Sequence, residues 1–215
     1  MITSYIIVAV IAYLLGSISF SVIFTKKFCG FDVREKGSGN AGSTNVLRTA
    51  GKKVALLTLI CDILKGVVAV AIAIIIGLII KADDVQKSVL VELAGIFVVI
   101  GHTFPVFFKF KGGKGVATAL GVLLITNWKI GLICLIFALL LMCVSKIVSL
   151  GSIAAAVLFP VLCIFIKDTY IVGNESAHLS YIIFGIIMAL IVIFNHRSNI
   201  KRLAEGKENK LSFKK

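Results

Sequence analysis

ITSYIIVAVIAYLLGSISFSVIF, residues 2–24, carries no charged side chain in 23 positions. A helix that crosses the hydrocarbon core of a bilayer needs roughly 20 mostly apolar residues, so this stretch alone is long enough to span. The rest of the chain repeats the pattern. VALLTLI (54–60) leads into VAVAIAIIIGLII (68–80), and LIFALLLMCV (135–144), LFPVLCIFI (158–166) and LSYIIFGIIMALIVIF (179–194) follow. The 215 residues are 59% hydrophobic with a mean hydropathy of +1.07, against about 45–50% apolar in soluble domains. The pattern predicts an all-α integral membrane protein of about seven transmembrane helices, at 3–24, 54–80, 89–108, 115–126, 130–145, 148–166 and 179–195. The fourth is the odd one. VATALGVLLI (116–125) is only ten residues, about 15 Å of helix against a hydrocarbon core of about 30 Å. It is either a short span in a thin region or a re-entrant segment. The N-terminal stretch lacks a cationic lead and a small-x-small cleavage site, so it is expected to be a retained span rather than a signal peptide.

The formal charge is +13, and its distribution carries the meaning. Lys26, Lys27, Arg34, Lys36, Arg48, Lys52 and Lys53 lie in the connection at 25–53, and Lys109, Lys111 and Lys114 in that at 109–114. Lys146 and seven more in the tail from Arg197 bring this alternate set to eighteen. The opposite connections hold four: Lys81, Lys87, Lys129 and Lys167. Positive loops stay inside, so the N-terminus is expected outside and the C-terminus in the cytoplasm. The excess charge thereby has a topological explanation, and nucleic acid is not an expected partner. The five cysteines, at 29, 61, 134, 143 and 163, contain no C-x-x-C pair and read as small apolar residues rather than metal ligands or disulfides. No metal or cofactor is expected.

Three polar, glycine-rich stretches fall on the positive side: GSGNAGSTNVLRTAG (37–51), KFKGGKGVAT (109–118) and NHRSNIKRLAEGKENK (195–210). The first opens as G-x-G-x-x-G but follows KKFCGFDVREK rather than a strand, and no lysine follows Gly42. Neither a dinucleotide fold nor a Walker A loop fits. What remains is the physics that both share: glycines let backbone N–H groups converge on an oxyanion. Ser38, Asn40, Ser43, Thr44 and Asn45 add short donors, and Arg48 adds a planar fork. In the second stretch Gly112, Gly113 and Lys114 precede a helix start, whose free N–H groups favour anions. His102, upstream in GHTFPVFF, is either a packing histidine or part of the site. His196 and Asn199 share a helical face if the last span continues into the tail. Asp62 and Lys65, at i, i+3 inside the second span, form either an internal ion pair or part of the site lining.

Together these segments resemble the bacterial acyl-phosphate:glycerol-3-phosphate acyltransferases, whose signature motifs GSGNAGSTNVLRTAG, GHTFPVFFKFKGGKGVAT and HRSNIKRLAEGKENK match in order and spacing. LLGSISF, CDILKG and KIVSLGSI extend the likeness over nearly the whole chain. The resemblance implies one membrane domain over 1–215, with loops 37–51 and 101–118 and a tail at 195–215. It implies transfer of a fatty acyl group from acyl phosphate to glycerol 3-phosphate at a site facing the cytoplasm of the bacterial cell membrane. The products are 1-acylglycerol 3-phosphate (lysophosphatidic acid) and phosphate, the first step of phospholipid biosynthesis. The expected partners are those two substrates and membrane lipids, and the oligomeric state is left open, a monomer being compatible with the sequence. By motif, Ser38, Arg48, Lys114, His196 and Asn199 are the expected catalytic residues. Gly37, Gly39, Asn40, Thr44, Asn45, His102, Gly112 and Gly113 are expected to bind substrate, and Asp62, Lys65 and Glu208 to be structural. Ala41 stands where the family often has proline. His196 is either a general base or a phosphate ligand. No G-x-S-x-G and no H-x-x-x-x-D occurs, which disfavours a serine triad and an acyl-CoA donor. The rival reading is a membrane transporter or channel for an anionic phosphorylated solute, although such proteins place the site near the midplane within repeats.

Overall fold

The computed structural model describes residues 1–166 and 177–210. Lys167, Lys214 and Lys215, counted in the charge bias, lie outside the described residues. The regular elements are helices: α1 (Ile2–Gly16), α2 (Phe20–Cys29), α3 (Ser43–Ala50), α4 (Lys52–Ile79), α5 (Asp84–Thr103), α6 (Val116–Thr126), α7 (Trp128–Ser145), α8 (Val148–Phe165), α9 (His178–Asn195) and α10 (Arg197–Ala204). Two 3-10 turns add Val33–Glu35 and Val106–Phe108. Among the described residues six segments are long and apolar enough to cross a membrane, with α1 and α2 counted as one broken span. The fourth expected helix exists as α6, but its 11 residues make about 17 Å of helix, well short of the hydrocarbon thickness.

The structure corrects the reading of 3–24 as one helix. The chain breaks between Gly16 and Phe20, and the reason lies on α4. Carbonyls freed by a break inside a bilayer need a donor from the protein. Lys65 supplies it, donating to the Gly16 oxygen at 3.0 Å and the Ile18 oxygen at 2.9 Å. Its third contact is Asp62 Oδ1 at 2.9 Å. The ion pair expected from the i, i+3 spacing therefore exists, and it staples the break.

α5 is the central helix. Its span is 61% buried, against 22–39% for the other five, because α1, α4, α6 and α9 all pack on it. Val8 and Ala12 of α1 meet Val91, Ala94 and Val98 of α5 in the main core. Close approach comes from small residues, as is usual where lipid removes the hydrophobic drive between helices. A Cβ on Gly16 would lie 2.2 Å from the Val98 oxygen, and one on Gly121 2.0 Å from the Ile63 oxygen. α1 thus presses on α5 and α6 on α4 without a side chain between them. The Tyr13 hydroxyl donates to the Phe104 oxygen at 2.9 Å, so α1 runs toward the end of the bundle where α5 finishes. At that end lie the loop before α3, the loop between α5 and α6, and α10.

Candidate active site

Two glycine-rich loops and the tail meet at one end of the bundle, and each is shaped by a polar side chain turned inward. In the first loop that residue is Asn45, 2% exposed in α3. Its amide nitrogen donates to the oxygens of Val33, Lys36 and Asn40, each at 3.0 Å, and its Oδ1 accepts from the Ser38 N–H at 2.9 Å. Gly37 takes φ +60°, and a Cβ there would lie 2.3 Å from Asn45 Oδ1. The chain therefore wraps around Asn45, holding Ser38 exposed at the rim and Arg48 one turn further along α3. Asn45, expected to bind substrate, has both its amide hydrogens engaged in shaping the loop, and it also lines the larger cavity described below. Gly37 serves the same wrap and lines neither cavity described below.

The second loop is tied from both sides. Arg34 pairs with Asp32 at 2.7 Å and donates to the Phe108 oxygen at 2.7 Å. This guanidinium holds the Asp32 carboxyl well below the usual carboxylate range, and Asp32 in turn raises the Arg34 pKa. The Gly112 N–H donates to the Thr103 oxygen and the Gly113 N–H to the His102 oxygen, both at 3.1 Å. These amides were expected to cradle an anion; instead they close the end of α5. The glycines are needed for closeness: a Cβ on Gly113 would sit 2.2 Å from His102 Nε2, and one on Gly112 2.0 Å from the His102 oxygen. The cations this loop offers at the cavities described below are Lys111 and Lys114.

The tail does not continue α9. The helix stops at Asn195 and restarts at Arg197, with His196 between them as the C-cap of α9 and the N-cap of α10. His196 Nδ1 lies 2.8 Å from the Val192 oxygen. A carbonyl can only accept, so Nδ1 carries the proton and Nε2 is the acceptor. Burial, the larger cause, and nearby Lys114 push its pKa down to about 4, against the Val192 bond and Glu208. The neutral imidazole is thereby favoured, with Nε2 open as an acceptor. Asn199 accepts from Lys114 Nζ through Oδ1 and donates to Glu208 Oε1 at 2.8 Å. Glu208 also takes Arg202 Nε at 2.8 Å. Burial raises its pKa, but Arg202 and Asn199 more than offset this and keep it ionised. The expected structural glutamate thus folds residues 205–208 back over α10.

Burial lowers the Lys114 pKa to about 8, helped by Arg202 and Arg48 and opposed by Glu208. Asn195, not singled out from the sequence, joins the tail to the second loop through Thr103 Oγ1 at 3.1 Å and the Lys114 oxygen at 3.4 Å. Sequence reasoning also missed Arg202 as a site residue and the Asp32–Arg34 clasp. The only signal for the clasp was an aspartate two residues before an arginine ahead of the glycines.

These groups border two cavities. The larger, about 830 Å³, begins at Ser38, Arg48, Lys114, His196 and Asn199 and runs between α4, α6, α7, α8 and α9 along apolar walls. Thr44, Asp62, His102 and Glu208 also line it. His102 Nδ1 is 3.5 Å from Asp62 Oδ1, so the ion pair and the cavity wall, read as alternatives for Asp62, are both realised; Lys65 stays behind the wall. The smaller cavity, about 320 Å³, is polar: Gly39, Thr103, Lys111, Gly112, Gly113, Asn195, Arg197 and Ser198 line it, with no carboxylate. Ser38, Asn40, Lys114 and Arg202 border both. All five expected catalytic residues therefore gather at the head of one cavity, and of the four expected glycine ligands Gly39, Gly112 and Gly113 fall at the other.

Residues 6–206 match the family model described as glycerol-3-phosphate acyltransferase. A glycerol-3-phosphate acyltransferase of Clostridioides difficile is 45% identical over 99% of this chain and 98% of its own. One from Thermoanaerobacter sp. is 44% identical over 97% and 96%. Among solved structures, PlsY, an integral membrane glycerol 3-phosphate acyltransferase, in its glycerol 3-phosphate form superposes with a TM-score of 0.82 at 36% identity, covering 97% of this chain and 96% of that one. Its lysophosphatidic acid form gives 0.81 at 34%. With its apolar spans and this likeness along almost its whole length, the chain is an integral membrane protein and belongs to the glycerol-3-phosphate acyltransferase family.

Proposed function

We propose that the protein transfers a fatty acyl group from acyl phosphate to the first-carbon hydroxyl of glycerol 3-phosphate, at the end of the bundle that faces the cytoplasm. The observation that carries this reading is the pair of cavities, one polar and one apolar, that share Ser38, Asn40, Lys114 and Arg202. A small polyol phosphate suits the cavity that has Lys111, Lys114, Arg197 and Arg202 and no carboxylate. A fatty chain suits the larger one, and the bond to be made lies where they meet. The solved relatives are a glycerol 3-phosphate form and a lysophosphatidic acid form, and these molecules are a substrate and a product of this reaction. The cytoplasmic orientation is supported by the charge bias, eighteen cations on the connections of the site's side against four opposite.

The hydroxyl oxygen attacks the acyl carbon, the carbon–oxygen bond to phosphate breaks, and the hydroxyl proton ends on the released phosphate. Lys114 and Arg48 offset the charge of that leaving group, and Ser38 donates to an oxygen at the shared rim. A fixed donor of this kind is typically worth about 10²–10³-fold in rate. His196 Nε2 accepts the hydrogen bond of the attacking hydroxyl and orients it. With a pKa near 4 it is a weak base, and a mixed anhydride with a good leaving group needs only a weak one.

The reaction is tested by phosphate release from detergent-purified protein given palmitoyl phosphate and glycerol 3-phosphate, with palmitoyl-CoA in parallel and Arg48→Ala as control. The reading predicts release that requires glycerol 3-phosphate, fails with the thioester and collapses in the variant. No release from folded protein would overturn it and favour flux assays in liposomes.

A further inference from the structure

The larger cavity has an entrance, a bore and an end. Leu56 of α4 and Leu139 of α7 line it while remaining 57% and 50% exposed, so the upper cavity opens sideways toward lipid. Deeper down the lining is enclosed. Ser152, Ala155 and Phe159 lie along one face of α8, and the first two are small enough to leave the bore open. Ser149 borders the head of the cavity and Phe159 its far end. The ten-residue step from one to the other corresponds to about 15 Å of helix.

At that depth four side chains close the bore from four helices: Leu123, Cys134, Phe159 and Met188, exposed by 7%, 4%, 3% and 1%. Phe159 is the stiffest of them. Its ring stands edge-on to Tyr181 at 6.0 Å and 77° and to Phe184 at 6.0 Å and 83°. Tyr181 and Phe184 themselves stack at 5.6 Å. Backing from behind is equally close. A Cβ on Gly95 would come within 3.0 Å of the Phe184 ring, and one on Gly185 within 3.6 Å of Phe159. A ring backed by a stacked pair of rings does not yield to an added methylene, since packed interiors tolerate extra volume poorly.

We propose that Phe159 is the stop of the acyl bore and sets the longest acyl chain the enzyme accepts efficiently. This rests on the acyl-transfer reading above. Chains that end short of Phe159 bury all their carbons. Longer ones must compress against the ring or turn back toward the lateral opening.

The test is kcat/KM for lauroyl, myristoyl, palmitoyl and stearoyl phosphate in wild type, Phe159→Ala, Phe159→Leu and Ala155→Leu, with KM for glycerol 3-phosphate measured in each. Shortening the ring is expected to move the preference toward longer chains, by about tenfold in the ratio for two methylenes, the worth of burying them. Ala155→Leu, one turn nearer the head, is expected to move it toward shorter chains. KM for glycerol 3-phosphate stays at the wild-type value in both directions. A merely structural role for Phe159 would lower the rate for every chain alike. Unchanged ratios in active variants would therefore overturn the proposal while leaving acyl transfer intact. Absence of turnover by folded wild type with any acyl phosphate would overturn both. Should Phe159→Ala not fold, Phe159→Leu and Ala155→Leu carry the same opposed expectation.

Discussion

Two lysines, Lys65 and Lys114, sit within the same bundle and do opposite work. Lys65 is 5% exposed, and its ammonium is engaged three times: it donates to the Gly16 and Ile18 oxygens and pairs with the Asp62 carboxylate at 2.9 Å. Lys114 is half-buried and has a single side-chain acceptor among the described residues, Asn199 Oδ1. It also faces two more cations, Arg48 and Arg202, which together with burial bring its pKa to about 8. The first lysine is saturated and therefore structural. The second keeps spare donors at the meeting point of two cavities, where the proposed reaction places an anion. Spare hydrogen-bonding capacity, rather than charge or burial, separates the staple from the site.

The comparison breaks most visibly at Lys65. Lys65→Ala takes from Asp62 its lysine cation, leaving it only His102 Nδ1 at 3.5 Å among the described residues, and leaves two carbonyls without a donor, a loss of about 3–5 kcal/mol. The expected outcome is little or no folded protein, read as the monodisperse fraction in detergent. The double variant Asp62→Asn with Lys65→Met removes the stranded charge and should recover part of it. Lys114→Ala should do the reverse: normal yield and thermal stability, with kcat/KM lower by about 10²–10³-fold, the usual cost of one preorganised donor to a developing anion.

Smaller effects sharpen the boundary. Glu208→Gln removes the charge that orients Asn199 and Arg202. One charge-assisted hydrogen bond is worth about 1.5–3 kcal/mol, and because it acts through its neighbours the expected loss is about tenfold in kcat/KM, mostly in KM for glycerol 3-phosphate. Arg34→Ala frees the Phe108 carbonyl and should raise the same KM only a few-fold without touching the KM for acyl phosphate. Separate titration of the two substrates distinguishes these.

The apolar runs made the spans legible, because they are a property of composition along the chain, and the cations between them predict the side of each connection. The three polar stretches were also legible as one site, since their residue types and spacing survive without coordinates. The break in the first span was not: Leu14 to Phe20 is small or apolar throughout, and the carbonyl donor that makes the break tolerable lies 47 residues away from Ile18, on α4. Hydrogen-bond direction was hidden as well. Glycines that read as an anion cradle at 112 and 113 instead direct their amides to the end of α5. Asn45, which read as a ligand, is the post around which its loop is wound. Composition says which groups a loop owns, and only the fold says which remain unused.

The most direct measurement is the pH dependence of kcat/KM for glycerol 3-phosphate in wild type and Lys114→Arg. Lys114 binds phosphate only when protonated, and its pKa is depressed to about 8. Wild-type kcat/KM should therefore fall as pH rises through about 8. An arginine, which stays charged above pH 12, should lose that fall whatever its absolute rate. A wild-type profile flat well beyond pH 8, or the same descent in Lys114→Arg, would contradict the assignment of the spare donors to the anion.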